Sequence, residues 1–170
     1  MKPADFVRKY LPEAKNNAFG LDPFIVLTQA ALESGWGEHA PGFAFFGVKD
    51  TDGVNGNEQL LSTTEVSHSS TLKPEQVGLV TIDRVEPTTI NNQKYFIYFG
   101  KGYFRKYNSA KECFDDHIDF FIKNGRYAKA WTHRNDPKTF FKEIAEAGYA
   151  SAPNYASALI ATYNAIKNLT

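Results

Sequence analysis

Apolar residues recur at helical spacing towards both ends of this chain, whereas in its middle they alternate with polar ones. Phe6, Tyr10, Leu11 and Ala14 make a first helical stripe, which Pro12 is expected to interrupt. Residues 23–34 are the most apolar segment. Phe24, Ile25, Val26, Leu27, Ala30, Ala31 and Leu32 leave almost no polar face, so this helix belongs at the centre of a core. Asp22 can cap its start, Pro23 fits its first turn and Gly35 marks its stop. From about 44 to 103 the periodicity changes. Asp52-Gly53, Asn55-Gly56 and Asn91-Asn92 are turn signals between β-branched and aromatic runs, which predict strands over 60–66, 77–85 and 94–99. Helices resume at Ser109, which begins an S-x-x-E capping box with Glu112. Phe114, Ile118, Phe121 and Ile122 share the inward face there, and Asn124-Gly125 ends the helix. Asp136-Pro137 opens another, with Phe140, Phe141 and Ile144 inward and Gly148 as its stop. Pro153 opens the last, striped by Tyr155, Leu159, Tyr163 and Ile166.

This order of elements predicts an α+β, mainly helical fold: helices around one buried helix, with a small antiparallel β lobe beside it. A length of 170 residues suits a single domain, 1–170, that buries about two thirds of its unfolded surface. Basic and acidic residues balance at 19 each, which argues against nucleic acid or an anionic membrane surface as partner. Cys113 is the only cysteine, so no internal disulfide can form, and its neighbours Phe114 and Ile118 mark a buried thiol. His39, His68, His117 and His133 show no metal-ligand spacing; neither a metal nor a cofactor is expected. His117 falls on the apolar face of its helix and reads as a hydrogen-bonded core histidine. No stretch reaches the ~20 apolar residues of a membrane span, and Met1-Lys2-Pro3-Ala4-Asp5 is not a secretory signal.

One carboxylate stands where a catalytic acid can work. Glu33 sits in the last turn of the buried helix, where outward carbonyls make the local potential negative, and Trp36 can shield it from water. Both effects favour the protonated form at neutral pH, as a general acid requires. If such an acid served cleavage of a glycosidic bond, a second group would have to stabilise or trap the positive anomeric carbon. Glu65 is a candidate by position, since strand alternation puts Leu61, Thr63 and Glu65 on one face. That pattern suits an ordinary exposed strand carboxylate equally; the resemblance given below makes Glu65 the leading candidate. Asp50, Asp52 and Glu58 are weaker rivals in turn-like segments. The aromatic share of 15% exceeds what a core of this size needs and suits a sugar-stacking groove, with Trp36 and Phe46 as candidate walls.

Thr28-Gln29-Ala30-Ala31-Leu32-Glu33-Ser34-Gly35-Trp36-Gly37 resembles the signature of glycoside hydrolase family 73, the glucosaminidases that cut bacterial peptidoglycan. The likeness continues, in order, through Phe45-Phe46-Gly47-Val48-Lys49, Thr63-Thr64-Glu65-Val66, Phe104-Arg105-Lys106-Tyr107, and Ala147-Gly148-Tyr149-Ala150 to Pro153-Asn154-Tyr155-Ala156. The resemblance implies a lysozyme-like fold with a cleft between its lobes. It also implies hydrolysis of the β-1,4 bond after N-acetylglucosamine, with Glu33 as acid and Glu65 as second carboxylate. Tyr149, just after the presumed stop at Gly148, corresponds to a cleft tyrosine. Tyr155 belongs to the same block as a substrate-side residue, although its place on the helix stripe favours packing. The 76–100 stretch is longer than the family's and reads as an extended hairpin. Its rings Tyr95, Phe96, Tyr98 and Phe99, with Tyr103, are expected to wall the groove or to pack the lobe. Where the family carries an Asp before Pro153 this chain has Ala152, so the last helix lacks a cap or takes it from Ser151.

A muramidase, a lytic transglycosylase and a non-catalytic wall-binding module are the competing readings of the same residues. The partner expected is the glycan strand of peptidoglycan, and the place of action is the cell wall, periplasmic or extracellular. Delivery would then depend on a trimmed signal, phage lysis or a secretion machine, and an immunity or delivery partner stays open.

Overall fold

The computed structural model describes all 170 residues and divides into two compact units. One comprises residues 1–46 and 107–170 and is helical; the other, residues 47–106, is built on a β-sheet.

In the helical unit, α1 (Pro3–Lys15), α3 (Ala110–Lys123), α5 (Pro137–Glu146) and α6 (Tyr155–Lys167) pack around α2 (Pro23–Glu33). Every residue of α2 from Ile25 to Ala31 is buried, as its lack of a polar face demands. Three starts form as their sequences dictate. Asp22 accepts from the Phe24 N–H at 2.9 Å, Ser109 from the Glu112 N–H at 3.1 Å, and Asp136 from the Thr139 N–H at 3.4 Å. Glu112 reaches back to the Asn108 N–H, one residue outside the expected box. The core joins Phe6, Phe45, Phe114, Phe121, Phe140 and Phe141 to the aliphatic face of α2.

Three expectations need correction here, and one short helix was not foreseen. Helix α1 runs through Pro12 without a break; Pro12 and Arg8 are both exposed, so the carbonyl that loses its donor is open to water. Ile122 is exposed, and the buried face of α3 runs through Cys113, Phe114, His117, Ile118 and Phe121. A short helix, α4 (Ala128–Thr132), fills the connection before Asp136. Pro153 lies in a turn; α6 begins two residues later with no side-chain cap, so Ser151 does not replace the missing Asp.

The second unit is a three-stranded antiparallel sheet of β1 (Glu58–Ser67), β2 (Thr81–Ile90) and β3 (Gln93–Arg105), in the order β1-β3-β2. Asn91 and Asn92, both at positive φ, make the predicted two-residue turn between β2 and β3. β2 starts later than expected, because Pro74–Val77 winds a 3₁₀ turn that Gly78 closes in the left-handed conformation. β3 runs longer, to Arg105, and pairs with both neighbours. Gly100 makes that pairing feasible: a Cβ there would stand 1.9 Å from the Thr81 carbonyl oxygen. The ends of the unit meet. Lys49 bridges Phe104, and the Arg105 N–H donates to the Val48 carbonyl at 2.9 Å.

Candidate active site

Glu33 is the last residue of α2, and the six residues after it form its mount. Gly35 takes the left-handed conformation at φ 59°, and the Trp36 N–H donates back to the Ala31 carbonyl at 2.7 Å, the Schellman ending of a helix. Ser34, fully buried, accepts from the Gly37 N–H at 2.8 Å, and its carbonyl accepts from the His39 N–H. Helix α5 ends in the same way. Gly148 is left-handed at φ 81°, and the Tyr149 N–H donates to the Ile144 carbonyl at 3.0 Å.

These two endings, with the first turn of α6, bring Glu33, Tyr149 and Tyr155 together. Tyr155 donates to Glu33 Oε1 at 2.8 Å and Tyr149 to Oε2 at 3.3 Å. The two rings lie nearly parallel, 5.5 Å apart. Glu33 keeps one side open to solvent, yet the groups crowded on the other side strip water from its carboxyl. Burial pushes its pKa up to about 7, while the two hydroxyl donors pull the opposite way by favouring the anion. Burial and the neighbouring Glu33 raise both tyrosines above their ordinary range, so both remain donors.

The raised pKa therefore arises from burial beside Tyr149 and Tyr155. Trp36 has a different place, with its ring edge against Phe6 at 5.8 Å. Phe46 is half-buried and has one face stacked on His117, with centroids 3.6 Å apart. Tyr155 does pack, at 8% exposure, but its hydroxyl touches the acid. One further polar residue escaped the sequence reading. Gln29 is fully buried, with its amide on Tyr155 at 3.2 Å and on His117 at 3.3 Å. The signal was present: a glutamine inside an otherwise apolar helix needs buried partners. Cys113 is buried, and its thiol is pushed up to about 12, chiefly by burial.

In the β unit, Leu61, Thr63 and Glu65 share the half-buried face of β1, as alternation predicts. Glu65 pairs with Lys49 at 2.7 Å, and Lys49 also reaches the Gly78 carbonyl and stands over the Phe104 ring. They line a depression of about 350 Å³ with Asp50, Leu79 and the exposed Tyr103. The rival carboxylates have local work. Asp52 takes the Val54 N–H, the Asn57 amide and Arg105, which hold it below its usual range. Glu58 accepts from the Gly56 N–H at 2.6 Å. Burial, and then the adjacent Asp52, raise Asp50. Among the hairpin rings, Tyr98 is fully buried and bonds Ser69 and Leu72; Tyr95 lies against His68, and Phe99 against Arg84.

An α-helical core around one buried helix, an antiparallel sheet beside it in sequence and a protonatable glutamate at the buried helix's end define a lysozyme-like α+β protein. Within that class, the glucosaminidase family, described as mannosyl-glycoprotein endo-beta-N-acetylglucosaminidase, matches residues 9–168, and the chain belongs to it. The chain is 31% identical over 157 residues to the peptidoglycan hydrolase FlgJ of Vibrio cholerae, covering 91% of this chain and 41% of the relative. Its likeness to the Vibrio parahaemolyticus FlgJ is 27% over 169 residues, covering 98% and 48%. The chain thus spans less than half the length of these relatives. Among solved structures, a C-terminally truncated glycoside hydrolase domain of Salmonella typhimurium FlgJ superposes with a TM-score of 0.71 at 27% identity, covering 99% of this chain and all of that one. The catalytic domain of the Listeria monocytogenes autolysin Auto gives 0.68 at 23% identity, covering 99% and 85%, a likeness of fold.

Proposed function

We propose that this chain is an endo-β-N-acetylglucosaminidase that hydrolyses the β-1,4 bond after N-acetylglucosamine in bacterial peptidoglycan. Residues 1–170 act as one catalytic domain, at the cell wall. The observation that carries the reading is the Glu33 carboxyl, held between two tyrosine hydroxyls with its pKa pushed up to about 7. Such a group is protonated often enough at neutral pH to give its proton to the departing glycosidic oxygen. Glu65 is the second carboxylate, which Lys49 holds in place; it either activates water or orients the substrate's own N-acetyl group as neighbouring nucleophile. Tyr149 lies against the acid and steadies charge at the anomeric carbon. Trp36, Phe46 and Tyr155 give the sugar rings an apolar border, each from a ring anchored in the core.

Mass spectrometry of peptidoglycan digested with the protein and then reduced with borohydride tests the bond. Reduced N-acetylglucosamine ends are expected. Reduced muramic ends would make it a muramidase, anhydromuramic ends a transglycosylase, and no release a binding module. Glu33→Gln keeps the shape and removes the proton, so release should fall at least ~10²-fold with the fold intact. Glu65→Gln should lower kcat while leaving KM nearly unchanged. Near-normal turnover in a folded Glu33→Gln protein would overturn the assignment.

A further inference from the structure

Behind Glu33 runs a buried chain of polar groups that proton donation itself does not require. Gln29 lies on α2 one turn before Glu33, with its Nε2 donating to the Tyr155 oxygen at 3.2 Å. Its Oε1 stands 3.3 Å from His117 Nε2, and the Tyr155 hydroxyl continues the chain to Glu33 Oε1 at 2.8 Å. Direction matters, because a hydroxyl has one proton to give. With the amide NH₂ facing the Tyr155 oxygen, that oxygen's own proton is left for Glu33. An amide turned end for end would place Oε1 against the hydroxyl and draw the proton away from the acid.

His117 and the amide fix each other's direction: a ring with hydrogen on Nε2 faces Oε1, whereas one with hydrogen on Nδ1 alone would face the NH₂. A ring nitrogen that faces a carbonyl oxygen has to carry hydrogen, so Nε2–H selects Oε1 as its partner. The ring cannot swing off: it stacks on Phe46 at 3.6 Å and meets Phe121 edge-on at 4.9 Å. Burial pushes its pKa down to about 3, which keeps it neutral with a single N–H. We infer that His117 and Gln29 are positioning residues, which set the direction of the chain so that the Tyr155 hydroxyl donates to Glu33. This rests on Glu33 being the acid of the proposed reaction. The titratable groups around the chain are Glu33, Tyr149, Tyr155, Tyr127 and His117 itself. A donor to the carboxylate favours the anion, so the chain restrains the rise that burial imposes on Glu33.

Imidazole ¹⁵N spectra of the wild-type protein at neutral pH read the direction without any substitution. Hydrogen on His117 Nε2 is expected, and hydrogen on Nδ1 alone would overturn the inference. The pH profile of kcat/KM then reads the effect on the acid. Gln29→Met keeps the volume and removes the amide, and His117→Phe keeps the stack on Phe46. Each should move the basic limb to higher pH by about half a unit, roughly threefold in proton affinity. In a Tyr155→Phe background neither should move it further, since the link they act through is gone. An unmoved limb, or the same shift in both backgrounds, overturns the chain. Glu33→Gln separates the two readings. If it keeps both turnover and the basic limb, the acid assignment has failed, whereas the histidine spectrum judges the chain's direction independently.

Discussion

Glu33 couples the chemistry of this protein to its stability. An ordinary glutamate titrates near 4.5, and in the fold this one is pushed up to about 7. Below 4.5 both folded and unfolded chains hold the proton. Between 4.5 and 7 the unfolded chain releases it while the folded chain keeps it, so the folded state loses stability as pH rises through that window. Water at the open side of Glu33 moderates the loss. Thermal melts of Glu33→Gln and wild type across pH should therefore show the variant melting higher at pH 8, with the gap closing towards pH 4.5. A gap that is equal at both pH values would contradict the burial of the carboxyl. His117 acts in the other direction, destabilising the fold as pH falls below its ordinary range, but both proteins retain it and its effect cancels.

At the scale of elements, what could be read from the chain was what is decided locally. Asp22, Ser109 and Asp136 announce helix starts because a cap needs only its own next few residues. Gly35 and Gly148 announce the two endings that carry Glu33 and Tyr149 for the same reason. Pro12, Pro153 and the late start of β2 depend on which side faces solvent or which strand is adjacent, and short windows do not contain that. That Glu33 and Tyr149 stand at helix endings was legible from position, whereas a cleft role for Tyr149 came from the family resemblance. The relation of Tyr155 to Gln29 and His117 was not legible, since it joins residues up to 126 apart in sequence. Gly100 shows the same limit from the other side. Its meaning lies in the neighbouring strand, where a Cβ would collide with the Thr81 carbonyl. Gly100→Ala should destabilise the protein by about 1–3 kcal/mol through forced displacement of β2, measurable by urea denaturation. Gly125→Ala, where a Cβ meets open space, serves as the control.

For the whole molecule, the β unit is an insertion in the helical one, which resumes at Tyr107 where it left off at Phe46. Within the insertion, the hairpin has a packed base and an open tip. Tyr98 is core, while the tip from Glu86 to Lys94 is almost wholly exposed. We expect that shortening the hairpin between Val85 and Tyr95 leaves the melting temperature nearly unchanged and lowers digestion of intact sacculi. Early melting, or undiminished digestion, would show that the tip serves packing alone or nothing.

The paired backbone at Val48–Arg105 and Lys49–Phe104 has a consequence for how such a protein can change over generations. A segment whose two ends are already fastened to each other behaves as a cassette. Its length can grow or shrink at the far tip with only the slow, logarithmic penalty of a longer loop, and no residue beside Glu33 has to move register. Recombination at two points, near residues 47 and 106, would exchange the entire insert between relatives while leaving the acid and its tyrosines under the selection they already have.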